Sequence, residues 1–148
     1  MFYFYGSENM PMKTITKIIE DYVYETTNEN GNKISIDMRE DHEKSSHGPM
    51  EMILGAVSAC VAVDIVSILK KKKKEVVDFK IETSGIRRDK HPRAFTQIHS
   101  RYVLTSPNTT ESELDKIAKL ALYKYCSVAS SLKAEIEYSV EVINPESN

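Results

Sequence analysis

The stretch that most limits what this chain can become opens at Pro49 and runs into Lys70-Lys71-Lys72-Lys73-Lys74. Proline suits the first turn of a helix, where its missing N–H takes nothing away, and cations suit the last turn, beside the negative end of the helix dipole. Residues 49–72 are therefore predicted to form one helix. Ile53, Leu54, Val57, Val61, Ile65 and Ile68 occupy several of its faces, so it should be buried all round. A single sheet covers only one side of such a helix. The small residues Gly55, Ala56, Ser58, Ala59 and Ala62 would let a second helix come close, which predicts a homodimer with this helix at or near the shared interface. The longest charge-free apolar run is residues 52–63, only 12 residues. A bilayer span needs about 20, so no membrane partner is expected.

The flanking patterns supply sheets and one more helix. Ile15, Ile18, Ile19, Tyr22 and Tyr24 lie in a β-branched and aromatic stretch, and Lys33-Ile34-Ser35-Ile36-Asp37 alternates with period two, which predicts a β-hairpin turning at Asn30-Gly31. Residues 38–48 carry mostly charged and polar side chains without periodicity and should be an exposed loop. Residues 76–88 and 93–105 alternate on either side of Asp89-Lys90-His91-Pro92, a second hairpin. Thr110-Glu111-Ser112-Glu113 reads as a capping box, and Leu114, Ile117, Ala118, Ala121, Leu122 and Tyr125 recur at helical spacing, so a second helix should span 111–125. Residues 135–142 alternate strictly and predict a final half-exposed strand.

The fold class is thus α+β: a hairpin, a central helix, a hairpin, a second helix and a last strand. With 148 residues and 41% hydrophobic content there is material for one core, so residues 14–143 are expected to be a single domain. Residues 1–13, with the aromatic run Phe2-Tyr3-Phe4-Tyr5, read as a loose extension, and residues 144–148 as a frayed tail. The leader lacks the basic start and long apolar stretch of a secretory signal, so a cytoplasmic location is expected. Twenty basic against 22 acidic side chains leave a net charge of -2, which recommends neither nucleic acid nor an anionic membrane as partner.

Two cysteines in a chain of this kind are expected to be reduced thiols rather than a structural staple. Cys60 falls mid-helix, where a lone cysteine is more often a small core residue than a nucleophile. The dipole gives no help beyond a helix's first turn, while burial and Asp64, one turn on, both oppose a thiolate. A reactive Cys60 therefore needs a cation from elsewhere, and Arg39 in the preceding polar loop is the first candidate. Cys126, at the end of the second helix, is equally well read as a buried structural thiol. With 66 positions between them, only the fold can bring the two together. The four histidines lie in loops, a turn and a strand, without zinc-site spacing, and no bound cofactor is expected.

Residues 49–60, Pro49-Met50-Glu51-Met52-Ile53-Leu54-Gly55-Ala56-Val57-Ser58-Ala59-Cys60, resemble the central-helix motif of the OsmC/Ohr family, Pro-x-Glu-Leu-Leu followed by small residues and the first cysteine. Lys124-Tyr125-Cys126-Ser127-Val128 resembles the second signature of that family. The resemblance implies an intertwined homodimer that reduces organic hydroperoxides, with Cys60 as nucleophile, Cys126 as resolving thiol, Arg39 as thiolate stabiliser and Glu51 as the residue orienting it. The thiolate would open the O–O bond to leave a sulfenic acid, the second thiol would condense with it to a disulfide, and an external dithiol of lipoyl type would restore both. The well-studied peroxidases of the family carry Glu directly after the proline, whereas this chain has Met50 there and Glu51 about 100° further round the helix. The chain is thus similar to a less characterised branch, and a non-catalytic dimeric module that senses redox state or binds a hydrophobic small molecule is the competing reading.

Overall fold

A computed structural model describes residues 11–145, which divide into two compact units, one up to Ile53 and the other from Leu54 onward. The aromatic run Phe2–Tyr5 and residues 146–148 of the expected frayed tail lie outside the described residues.

The first unit is an antiparallel meander of β1 (Thr14–Glu20), β2 (Val23–Asn28) and β3 (Lys33–Asp37), in that order across the sheet. The predicted hairpin is present between β2 and β3, with Gly31 at φ 82°, a left-handed conformation that glycine adopts without steric penalty. The stretch before it breaks into two strands, because Tyr22 takes φ 64° and turns the chain back on itself between Glu20 and Val23. A three-stranded meander thus replaces the two-stranded hairpin expected there. Along these strands only Val23 and Asp37 are buried, and Ile15, Ile18, Ile19 and Ile34 are exposed in the single chain.

In the second unit β4 (Asp78–Arg87), β5 (Phe95–Thr105) and β6 (Glu135–Ile143) form a sheet in the order β4-β5-β6. β4 and β5 are the predicted second hairpin; β6 joins β5 in parallel, after a crossover through the second helix. The inner face carries Phe79, Ile81 and Thr83 from β4, Ile98, Ser100, Tyr102 and Leu104 from β5, and Ile136, Tyr138, Val140 and Val142 from β6. Opposite signs meet on the outer face, where Arg101 pairs with Glu82 at 2.8 Å and with Glu141.

Helix α1 (Pro49–Lys71) begins in the first unit and from Leu54 onward belongs to the second. It is 23 residues long and apolar enough to match a bilayer thickness, yet Val57, Val61, Ile65 and Leu69, four residues apart, are sealed in the core. Each such buried side chain stabilises the fold by about 1.5–3 kcal/mol. The expectation of burial all round is not met in the single chain, since Gly55, Ala56, Ala59 and Val63 are exposed. The helix ends where Lys73 turns to φ 55°, with Lys73 N–H donating to Lys70 O and Lys74 N–H to Leu69 O, a closure usually left to glycine. Lys74 is more than a solvated charge: its Nζ donates to Asn108 O at 2.7 Å and pairs with Glu113 at 2.8 Å.

Helix α2 (Glu111–Leu120) starts at the predicted capping box, Thr110 Oγ1 accepting from Glu113 N–H while Glu113 accepts from Thr110 N–H. It widens over Ala121–Tyr125 into a π turn, closed by Cys126 N–H donating to Ala121 O, and a short helix α3 (Ser127–Ser130) follows. Ile65→Ala should lower the unfolding free energy by about 2–5 kcal/mol, whereas Val63→Ala on the uncovered side of α1 should change it by less than about 1 kcal/mol in the dissociated chain; urea unfolding at low protein concentration measures both.

Candidate functional site

The chemistry gathers in the second unit, where α1 and the end of α2 meet the inner face of the sheet. Cys60 is half-buried and packs against the core cluster that contains Cys126, which is 3% exposed. Both sulfurs are free thiols. The widened turn sets Cys126 as the residue before α3, where its Sγ accepts from Ala129 N–H at 3.3 Å. Burial nevertheless dominates and pushes the Cys126 thiol up to about 11, the Ala129 N–H pulling the other way and the neighbouring Cys60 side chain adding to the rise. At neutral pH Cys126 is therefore a protonated thiol with Cys60 as its sulfur neighbour.

A line of hydroxyls joins α1 to the inner face of the sheet. Ser58, on α1, donates to Leu54 O at 2.9 Å and lies 2.7 Å from Thr83 Oγ1, which in turn lies 2.9 Å from the buried Ser100 Oγ. Next along β5 is Tyr102, fully buried, its ring stacked on Tyr138 at 5.6 Å between centroids. Tyr138 donates to Asp115 Oδ1 at 2.9 Å and Tyr123 to Ile136 O at 3.0 Å, but Tyr102 Oη has no partner. It is the only buried side-chain oxygen or nitrogen so placed among the described residues. Burial raises the Tyr102 hydroxyl well above the ordinary tyrosine range, with Ser100 opposing the rise and Cys126 adding to it.

Arg39 and Glu51, the other two predicted site residues, belong to the first unit. Arg39 forks onto Asp37, its Nε donating at 3.1 Å and its terminal nitrogen at 2.6 Å. Asp37 is 0% exposed, and the Arg39 guanidinium, helped by Ser45 N–H, holds its carboxyl far below the usual carboxylate range. Glu51 closes the first turn of α1 by accepting from Gly48 N–H at 2.6 Å, with Lys44 3.6 Å away, and both hold its carboxyl below the ordinary value. The described contacts thus occupy Arg39 with a buried carboxylate and Glu51 with a helix terminus.

Sequence reasoning found the two cysteines and missed the connected hydroxyls of Ser58, Thr83 and Ser100, and the unpartnered Tyr102. The signal for the last two was the alternation Ile98, Ser100, Tyr102, Leu104, the inner partner of the outward Gln97 and His99. A small hollow on the sheet, lined by Ser84, Gly85, Gln97, His99, Glu135 and Glu137 among others, contains neither cysteine.

Residues 42–141 match the family described as OsmC-like protein. The chain belongs to the OsmC-like family. Protein YhfA of Escherichia coli is 33% identical to it over 134 residues, covering 89% of this chain and 98% of YhfA. A hypothetical protein from Aquifex aeolicus, 29% identical, superposes with a TM-score of 0.80 over 92% of this chain and 98% of its own. The organic hydroperoxide resistance protein OhrB of Bacillus subtilis shares the fold, with a TM-score of 0.60 and 13% identity over 90% of this chain and 98% of its own.

The thiol pair makes a pH-dependent prediction. Because the folded-state value of Cys126 is raised, its neutral form is favoured by folding, and that contribution is complete below the free-thiol value of about 8.5 and fades as pH rises toward about 11. Iodoacetamide at pH 8 should therefore label Cys126 at least tenfold more slowly than after denaturation, with the difference shrinking toward pH 11; peptide mass mapping reads the rate.

Proposed function

We propose that this protein is a thiol-dependent peroxidase that reduces organic hydroperoxides. The observation that carries the reading is the meeting of Cys60 and Cys126, the two cysteines of the chain, from elements 66 positions apart. The Cys60 thiolate attacks one peroxide oxygen; the O–O bond breaks, the alcohol leaves with a proton, and Cys60 is left as sulfenic acid. The Cys126 sulfur then attacks the Cys60 sulfur, forming the disulfide and releasing water. An external dithiol, of lipoyl type, takes the two oxidising equivalents and returns both thiols. The assisting roles of Arg39, as thiolate stabiliser, and Glu51, as its orienter, belong to the same proposal. Membership of the family that also holds hydroperoxide resistance proteins supports it.

The homodimer is part of this reading. Exposed Ile15, Ile18, Ile19 and Ile34 on the first unit and Val63 on α1 are apolar surface that a single chain leaves wet. Sedimentation should give a particle of twice the 16.8 kDa chain mass, and Val63→Lys should shift it toward the monomer.

For the chemistry, one equivalent of cumene hydroperoxide should remove both thiols of the reduced protein and yield a single Cys60–Cys126 disulfide by mass mapping. Cys60→Ser should abolish turnover, and Cys126→Ser should leave a sulfenic acid that dimedone traps. Two unchanged thiols in the wild-type protein would refute the peroxidase and put a non-catalytic binding or sensing module in its place.

A further inference from the structure

The hydroxyl line fixes where α1 lies on the sheet. Leu54 lies against Gly85, which pairs with Ile98, and Ser58 bonds to Thr83, which pairs with Ser100. Four residues along the helix thus correspond to two along β5, as expected from about 6 Å of rise in each. The next step of the same register brings Tyr102 level with Ala62, two residues beyond Cys60 on α1. Cys126 belongs to the same core cluster as Tyr102, and its side chain adds to the rise of the Tyr102 hydroxyl. Ser100, whose side chain bears on the Tyr102 hydroxyl, is engaged with Thr83, and Tyr102 Oη has no hydrogen-bond partner among the described residues. An orphan of this kind normally costs a fold about 1–3 kcal/mol, and phenylalanine would fill the same space without it.

We propose that Tyr102 is the proton relay for disulfide closure, its hydroxyl meeting the oxygen that oxidation places on the Cys60 sulfur. This rests on the peroxidase reading above. Closure forms the S–S bond and breaks the S–O bond of the sulfenic acid, so the departing oxygen must gain a proton as Cys126 loses one. Tyr102 gives its phenolic proton to that oxygen, which leaves as water, and takes the proton of the Cys126 thiol onto its own oxygen. The tyrosine ends as it began, and Cys60–SOH plus Cys126–SH become disulfide and water with no further reactant. A buried hydroxyl that stays protonated is suited to this exchange, because Cys126 itself enters as a thiol.

The test is single-turnover oxidation of the full-length protein with cumene hydroperoxide, following sulfenic acid by dimedone trapping and disulfide by mass. Tyr102→Phe should form sulfenic acid at the wild-type rate but close the disulfide at least tenfold more slowly, so that the dimedone adduct accumulates. The solvent deuterium isotope effect on closure should disappear with the hydroxyl. Tyr123→Phe, at a tyrosine that is 59% exposed and bonded to Ile136 O, should leave closure within twofold. Tyr102→Phe closing at the wild-type rate, or both variants slowing alike, would overturn the relay while leaving the peroxidase in place. Wild-type protein that forms no sulfenic acid would remove the peroxidase and the relay together.

Discussion

The second unit depends on one contact: Val61, Ile65 and Leu69 of α1 packed against the inner face of β4, β5 and β6. Burial of apolar area has no direction of its own, so it fixes that the helix lies on the sheet but not at what height. The height comes from the polar contacts at the same face, Ser58 to Thr83 and Thr83 to Ser100. A slip of one turn would leave buried hydroxyls without partners, a penalty of the same order as one buried methyl-bearing side chain. The hydroxyls therefore set the register in which Cys60 reaches the core beside Cys126.

Two buried ionisable groups show how the balance between desolvation and hydrogen bonding is decided. Asp37, at the end of β3, is as fully enclosed as any residue in the protein, yet its carboxyl is held far down because Arg39 forks onto it and Ser45 N–H points at it. Cys126 has only the Ala129 N–H, at 3.3 Å to a sulfur, and burial prevails, so its thiol is pushed up to about 11. At Asp37 the charged and backbone donors outweigh desolvation, and at Cys126 desolvation outweighs a single N–H. The first unit thus uses Arg39 to neutralise a buried carboxylate at the end of β3, and the second keeps a buried thiol neutral.

The helix that organises the second unit is also more apolar than one chain can use. Its sealed stripe is one face; Gly55, Ala56, Ala59 and Val63 lie outside it, and the meander of the first unit adds further exposed isoleucines. Small side chains on the uncovered side of a long helix fit close approach by another helix better than contact with water. This excess is the physical argument for the proposed self-association.

The sequence by itself determined the elements and most of their boundaries. Period and punctuation are local properties: Pro49 and the lysine run delimited α1, Thr110 and Glu113 opened α2, and Asn30-Gly31 turned a hairpin. Where the sequence reading went astray, a local exception was the cause, as when Tyr22 accepted a left-handed conformation and made two strands of one apolar stretch. It also named both cysteines, through short motifs shared with the OsmC/Ohr family, without a physical reason for either to meet the other. Only the tertiary structure decided that β6 lies parallel to β5, that Arg39 is engaged by Asp37, and that Ser100 and Tyr102 stand inward, Tyr102 in the core cluster that holds Cys126. Such facts join residues tens of positions apart. They are fixed by which faces can be buried together and which polar atoms then find partners, and no window along the chain contains both halves of that choice.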